Sequence, residues 1–448
     1  MTLRDEVTDL LQRLIRVDTT NPPGNETAAA ELLREYLEAN GVACELIARA
    51  PERANLVARL PGGDGPSLLF LGHTDVVLAD PAEWSVPPFS GELRDGQVWG
   101  RGALDMKSEV AANAVAIASL AREGFKPSGD LIFAATADEE AGAGFGLEWL
   151  CEAHPDAVRC EFAINEGGGD RIELENGRPI YLPTVAEKMT APFRLTVHGR
   201  SGHASMPRIA DNALVNATRL IDRIAAYQPE PQLGPEVERF LQAVLDEVPP
   251  ANEAVQRMTP VSPIAAVLVD ALLGPTFSPT IISASRKRNV IPALCEIEVD
   301  CRLLPGQHPE HVEPMIRAVL DAGNVVGGAD DAQRTARGGE VDYDLEWIEA
   351  QGGTRSSLDT PLWRALEEWV EEVEPGAKAA PLACVGFTDS HWLREAFGTV
   401  AYGFFPSSGE LPPEVAASLI HSADERIPVA DLELGVGWLR HAAQALLG

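Results

Sequence analysis

Two hydrophobic rhythms alternate along the first part of the chain. Segments 42–48 (VACELIA), 54–60 (ANLVARL), 67–73 (SLLFLGH) and 130–137 (DLIFAATA) are short apolar runs bounded by turn residues, which predicts strands, with another around Phe162–Asn165. Segments 3–17, 26–40 and 106–124 repeat apolar residues at helical spacing, and 145–154 follows as a shorter helix. Gly24 or Asn25 opens the second helix and Gly41 closes it. Strand and helix in alternation predict an α/β fold, a mostly parallel sheet covered by helices.

The pattern changes near Met189. Segment 191–199 reads as an alternating strand, 211–227 as a helix, 279–289 and 293–304 as strands, 308–323 as a helix and 340–353 as a strand. This βαββαβ order predicts an inserted α+β, ferredoxin-like unit. A helical, proline-punctuated stretch at 228–275 interrupts it, and α/β alternation resumes with helix 360–373 and strands at 381–386 and 399–405. The expected division is a discontinuous catalytic domain, 1–188 and 354–448, with a lid or dimerisation domain at 189–353. A chain of 448 residues exceeds one ordinary core, in keeping with two domains.

Hydrophobic residues make up 45% of the chain and the net charge is -32, the marks of a folded protein whose surface repels nucleic acid and anionic lipid. No apolar run is long enough to cross a membrane, and the acidic start MTLRDEVTDLLQRL lacks a leader pattern, so the expected location is cytoplasmic. Six cysteines without C-x-x-C spacing read as reduced core residues.

The candidate chemistry lies in His73, Asp105, Glu139, Glu140, Glu166 and His421, each expected where a strand meets a loop. So many ionisable groups at the ends of buried strands are costly unless something collects them. Two divalent cations about 3.5–4 Å apart would do so and would activate water. Asp75, in His73-Thr74-Asp75, is placed to orient the imidazole. Adjacent Glu139 and Glu140 would repel each other, which a cation on Glu140 relieves, leaving Glu139 as general base. Taken singly, Asp105 reads more readily as a helix cap, the glutamate pair as an acidic surface loop and His421 as an ordinary helix start or turn residue.

Together the motifs resemble the M20 family of zinc-dependent amidohydrolases and exopeptidases. The matching segments are GHTDVV (72–77), WSVPPFSG (84–91), GRGALDMKS (100–108), DEE (138–140), NEGGG (165–169), HGRSGHAS (198–205), NVIP (289–292), DCRLLPG (300–306) and HSADE (421–425). The resemblance implies that Asp105 bridges two metals, with His73 and Glu166 completing one and Glu140 and His421 the other. It makes Glu139 the catalytic glutamate and Asp75 the supporting aspartate. It makes the inserted domain a dimerisation unit from which His203 reaches a neighbouring active site. Asn289 and Arg302 match substrate-contacting positions, although Arg302 reads equally as a strand-edge salt bridge. Thr388 and Asp389 match a turn near the substrate, whereas His198 reads as structural.

The implied cofactors are two divalent ions, zinc first, with manganese or cobalt admitted by the carboxylate-rich set. The implied reaction is hydrolysis of the amide bond of an N-acyl amino acid or short peptide with a free C-terminal carboxylate. A succinyl-diaminopimelate desuccinylase or acetylornithine deacetylase is the alternative, and a non-catalytic metal-binding homologue the remote one. A two-metal phosphoesterase is disfavoured because no phosphate-cradling loop accompanies the ligands.

Overall fold

The computed structural model describes residues 2–322 and 341–448. The ends of two predicted elements, Gly323 and Glu340, lie outside these residues, as does the part of the expected lid at 323–340. An eight-stranded sheet forms the larger body, in the order Ala43–Ala48, Ala54–Leu60, Leu131–Thr136, Leu68–His73, Phe162–Asn165, Val400–Gly403, Thr184–Glu187, Leu382–Cys384. Four of its seven strand pairings are parallel, and the central strand Leu68–His73 is parallel to both neighbours. The sheet is therefore mostly parallel, with antiparallel pairings at the Ala43–Ala48 edge and between Val400–Gly403 and Thr184–Glu187, and a parallel pair again at the Leu382–Cys384 edge.

Every residue of Leu68–His73 and Leu131–Thr136 is buried, because helices cover both faces. On one face, Leu3–Ile15, Glu26–Ala39, Lys107–Arg122, Pro361–Val373 and Val429–Leu447 enclose the main core, which includes Phe70, Phe133, Trp363 and Trp438. On the other, Leu147–Ala153 and Ser390–Phe397 pack on Leu69, Leu71, Ile132 and Ala134. Alternate side chains of one strand thus enter opposite cores. Helix Lys107–Arg122 is rich in alanine and lies close to the sheet; a Cβ on Gly72 would fall 3.0 Å from both Met106 Cε and Val110 Cγ2.

The second sheet is antiparallel, with Thr276–Ser283, Leu294–Leu303, Phe193–His198 and Tyr343–Trp347 side by side. Helices Ala213–Ala226 and Pro309–Asp321 cover one face and share its core with Phe193, Leu195, Ile297 and Val299. This is the expected βαββαβ unit. The strand expected at 279–289 stops at Ser283, where a turn begins before the short strand Val290–Ile291. Two paired segments join the sheets: Thr190 N donates to Gln351 O at 2.7 Å, and Gln351 N to Thr190 O at 2.9 Å.

The stretch 228–275 is helical, through Pro235–Leu245, Ala254–Met258 and Pro263–Leu272. Though continuous in sequence with the second sheet, its apolar face (Val237, Phe240, Leu241, Val269) packs on Ile172, Ile180 and Leu382 of the larger body. Lys188 fastens it there, donating to Ala271 O at 2.8 Å and Gly274 O at 3.0 Å.

Candidate metal centre

Parallel register brings the first ligands together. His73 pairs with Thr136 at the end of adjacent strands, so Glu139 and Glu140, just beyond, emerge on the side where His73 points. Glu166 follows Asn165, the last residue of the next strand. Two candidates depart from the expected strand-end placement. Asp105 lies on the loop between strand Gln97–Trp99 and helix Lys107–Arg122, and His421 follows helix Pro413–Leu419 in a left-handed conformation, φ 59°. Such a φ is uncommon outside glycine and is held only where surrounding structure demands it.

All six nevertheless converge. Asp105 places Oδ1 3.2 Å from His73 Nε2 and Oδ2 3.1 Å from His421 Nε2. His421 Nε2 also lies 3.2 Å from Glu140 Oε1, and His73 Nε2 lies 3.7 Å from Glu166 Oε2 and 3.9 Å from Glu139 Oε2. Two groupings have ligand atoms mutually within 4.8 Å: His73, Glu139 and Glu166, and His73, Asp105 and Glu140. Glu139 therefore approaches His73 about as closely as Glu166 does, so distance alone does not separate a ligand from a base.

The donor set fits divalent cations. Four acidic side chains and two imidazoles meet in a half-enclosed space, and Glu140 Oε1 is buried without a hydrogen bond of good geometry. Burial alone would depress the His73 imidazolium, but Asp105, Asp75 and Glu166 override it and hold its pKa well above the usual range. The Asp105 and Glu140 carboxylates beside it raise His421 to about 10. Burial lifts Glu139 well above normal and raises Glu166. Burial would raise Asp105 as well, but His421 and His73 override it and hold that carboxyl below its ordinary range. Crowded carboxylates that draw protons onto the imidazoles, Glu139 and Glu166 are expected of a cluster built around cations.

A second layer of residues holds this one. Asp75 accepts the backbone N–H groups of Glu139 (3.2 Å) and Glu140 (3.1 Å) and the amide of Asn21 (2.9 Å). His73 Nδ1 lies nearer the Asp75 backbone oxygen, at 3.1 Å, than its carboxylate, at 3.4 Å, so the expected orienting contact is shared between main chain and side chain. Asn21 also donates to Asp138 at 2.9 Å, and Arg53 joins Asp138 (2.6 Å) to buried Glu26 (2.7 Å). Buried Glu425 accepts Leu104 N at 2.7 Å, Asp105 N and Gly102 N at 3.1 Å, and Arg101 Nη1 at 2.5 Å. Sequence reasoning missed Asn21, Arg53, Asp138, Arg101 and Glu425 as supports. Only Arg101, Asp138 and Glu425 carried a signal, as polar members of the quoted motifs.

The remaining candidates lie apart or at the margin. Buried Thr388 has Cγ2 3.3 Å from where a Gly167 Cβ would stand, next to Glu166. Asp389 is buried, receives Thr136 Oγ1 at 3.2 Å and is raised to about 7 by burial. His203 is exposed on the ribbon that pairs Gly202–His203 with Val290–Ile291, its Nδ1 2.7 Å from Ser205 Oγ, and Asn289 adjoins it. Among the described residues no hydrogen bond or ion pair links His203 or Asn289 to the six-residue cluster. The Arg302 guanidinium is engaged by Asp300 through two 3.0 Å contacts and by Thr190 Oγ1 at 2.6 Å. His198 pairs with Asp344 at 2.8 Å on the sheet edge.

Known proteins match this architecture along its length. A succinyl-diaminopimelate desuccinylase from Delftia acidovorans is 28% identical over 446 residues, 95% of this chain and 94% of the relative, and one from Thioalkalivibrio sulfidiphilus is 29% identical over 436 residues, again 95% and 94%. The fold superposes on an M20 family metallo-carboxypeptidase from Sulfolobus solfataricus with a TM-score of 0.69 at 17% identity, over 99% of each chain. A dinuclear metal binding peptidase of the M20 family from Bacillus subtilis gives 0.61 at 13% identity, over 99% of this chain and 98% of that one. The profile of peptidase family M20/M25/M40 matches residues 69–445. The chain belongs to peptidase family M20/M25/M40 and is a metal-dependent hydrolase.

Proposed function

We propose that the protein hydrolyses the amide bond of an N-acyl amino acid or short peptide with a free C-terminal carboxylate, as an aminoacylase- or carboxypeptidase-type enzyme. The observation that carries this reading is Asp105, which offers one oxygen toward each histidine, as a carboxylate shared by two ions must. His73 and Glu166 would hold one ion and Glu140 and His421 the other. Zinc is the proposed metal, with manganese or cobalt compatible with the oxygen-rich set. When bound, the ions supply Lewis acidity toward the substrate carbonyl and lower the pKa of the attacking water.

Glu139 takes a proton from that water and returns it to the departing amine; burial, which raises its affinity for a proton, suits that exchange. Asp75 holds the backbone beneath Glu139 and Glu140. Asn289, Arg302, Thr388 and Asp389 are the proposed substrate contacts. The domain division is proposed at the paired crossings, with 1–188 and 354–448 carrying the centre and 189–353 the lid.

The working form is proposed to be a homodimer in which His203 of one protomer donates to the carbonyl oxygen at its partner's centre. The open edge strand Thr276–Ser283 supports this, with Ile281 and Ile282 about half exposed and Leu214 and Val215 exposed on the adjoining helix. A cytoplasmic location is proposed from six cysteines that are all unpaired. Among the described residues no helix is long and apolar enough to cross a membrane.

The test strips metal with a chelator, reloads zinc, manganese or cobalt, and screens N-acyl amino acids against dipeptides. Turnover should vanish on stripping and return with about two ions per chain. Turnover that survives stripping, or saturation at one ion, overturns the proposal.

A further inference from the structure

The lid carries a cationic ribbon that the metal centre does not use. Strand Thr276–Ser283 leads into a turn where Arg286, Lys287 and Arg288 are consecutive and exposed. Ser285 shapes that turn: its Oγ accepts Lys287 N at 3.2 Å and donates to Lys287 O at 3.1 Å, while Val290 N donates to Lys287 O at 3.2 Å. The chain then pairs with the His203 strand, Val290 opposite His203, and Ala204 N donates to Asn289 O at 3.1 Å. Arg200 and Arg208, which precede and follow the His203 strand in sequence, are exposed as well. Elsewhere, arginines such as Arg53, Arg101, Arg171 and Arg394 are held by carboxylates. Among the described residues, none of the five ribbon cations has a carboxylate partner within 4.0 Å.

In a chain of net charge -32, unpaired cations flanking one histidine reverse the local field and attract anions. The centre itself is lined by Glu139, Glu140, Glu166 and Asp389, which repel an approaching dianion. A substrate with two carboxylates needs compensating charge on the opposing surface, and arginine supplies it through charge-assisted pairs.

We propose that Arg286, Lys287 and Arg288 select substrates bearing a second carboxylate beyond the α-carboxylate of the amino-acid half. The inference rests on the amide-hydrolase reading above and on His203 acting at a reaction centre. The second carboxylate has two possible sources, the far end of the acyl arm or an acidic amino-acid side chain. N-succinyl-alanine against N-butanoyl-alanine tests the first, and N-butanoyl-glutamate against N-butanoyl-glutamine the second.

The metal-loaded full-length protein should prefer the doubly charged member of one of these pairs in kcat/KM. Combined Arg286→Gln, Lys287→Gln and Arg288→Gln should cut that preference roughly 10–100-fold, through KM rather than kcat. Added salt should weaken the preference in the parent protein more than in this variant. Combined Arg286→Lys, Lys287→Arg and Arg288→Lys should retain it, which a merely structural role in the turn does not predict. Equal preference within both pairs, or a preference that survives the glutamine replacements, overturns the assignment. Failure to hydrolyse any of the four amides with metal supplied overturns the hydrolase reading itself.

Discussion

Glu425 grips Asp105 by its backbone across 320 residues of sequence, accepting the Asp105 N–H at 3.1 Å and the Leu104 N–H at 2.7 Å on one oxygen. Its other oxygen takes Gly102 N and Arg101 Nη1. One buried carboxylate thus ties the loop bearing Asp105 to the loop bearing His421.

Replacing Glu425 with alanine leaves those donors buried and unpaired and lets the two loops drift apart. Metal affinity should fall roughly 10–100-fold, the usual effect of removing a residue that orients ligands. Titrating metal into the stripped protein measures this. Glu425→Gln, which keeps an acceptor oxygen, should lose less; equal loss from both variants would show that charge, not acceptance of the backbone N–H groups, matters.

Glu139 and Glu140 are neighbours with different expected fates. Glu139→Gln should lower kcat roughly 10²–10⁴-fold while bound metal stays nearly constant. Glu140→Gln should lose metal together with activity. Metal content measured beside turnover separates the two, and loss of metal from the Glu139 variant would reverse the assignment of base and ligand.

Arg302 is held by Asp300 and Thr190, yet stands in the DCRLLPG segment. If it also reads the substrate carboxylate, Arg302→Ala should raise KM for free acids well above the change seen with the corresponding C-terminal amides. Equal changes in the two would make it a brace of the lid sheet alone.

Buried Asp431 offers a pH test away from the metals. Burial raises its pKa from 3.8 to about 6, although Ser408 N donates to it at 2.7 Å. The folded state therefore retains a proton that the unfolded chain has released. Its contribution is fully present below about pH 4 and is lost as pH rises through about 6. Relative to the parent protein, Asp431→Asn should gain stability across that window, on the order of 1–3 kcal/mol. Paired thermal melts at several pH values read the difference directly, and a constant offset would refute it.

Much of the fold was legible because its elements have local causes. The unbroken apolar run at 67–73 can be satisfied only by burial on both faces, and alanine-rich 107–122 can lie close to a sheet. His73 and the glutamate pair were legible for the same reason, since polar groups ending such runs stand out. Asp105 and His421 were legible as motif members, but their settings were not: a loop and a left-handed turn after a helix leave no periodic trace. The end of the lid strand at Ser283 was missed because 284–289, although polar and basic, holds no glycine or proline to mark a stop.

The chain's local chemistry thus determined which segments are buried, which become helix or strand, and which side chains are candidates for metal. Tertiary structure alone decided that Asp105 faces both histidines, that Glu425 and Asp75 hold the ligand backbones, and that 228–275 packs on the larger body. The physical reason is range. Burial and backbone preference act between near neighbours, whereas these contacts join residues far apart in sequence, whose meeting depends on strand order and register.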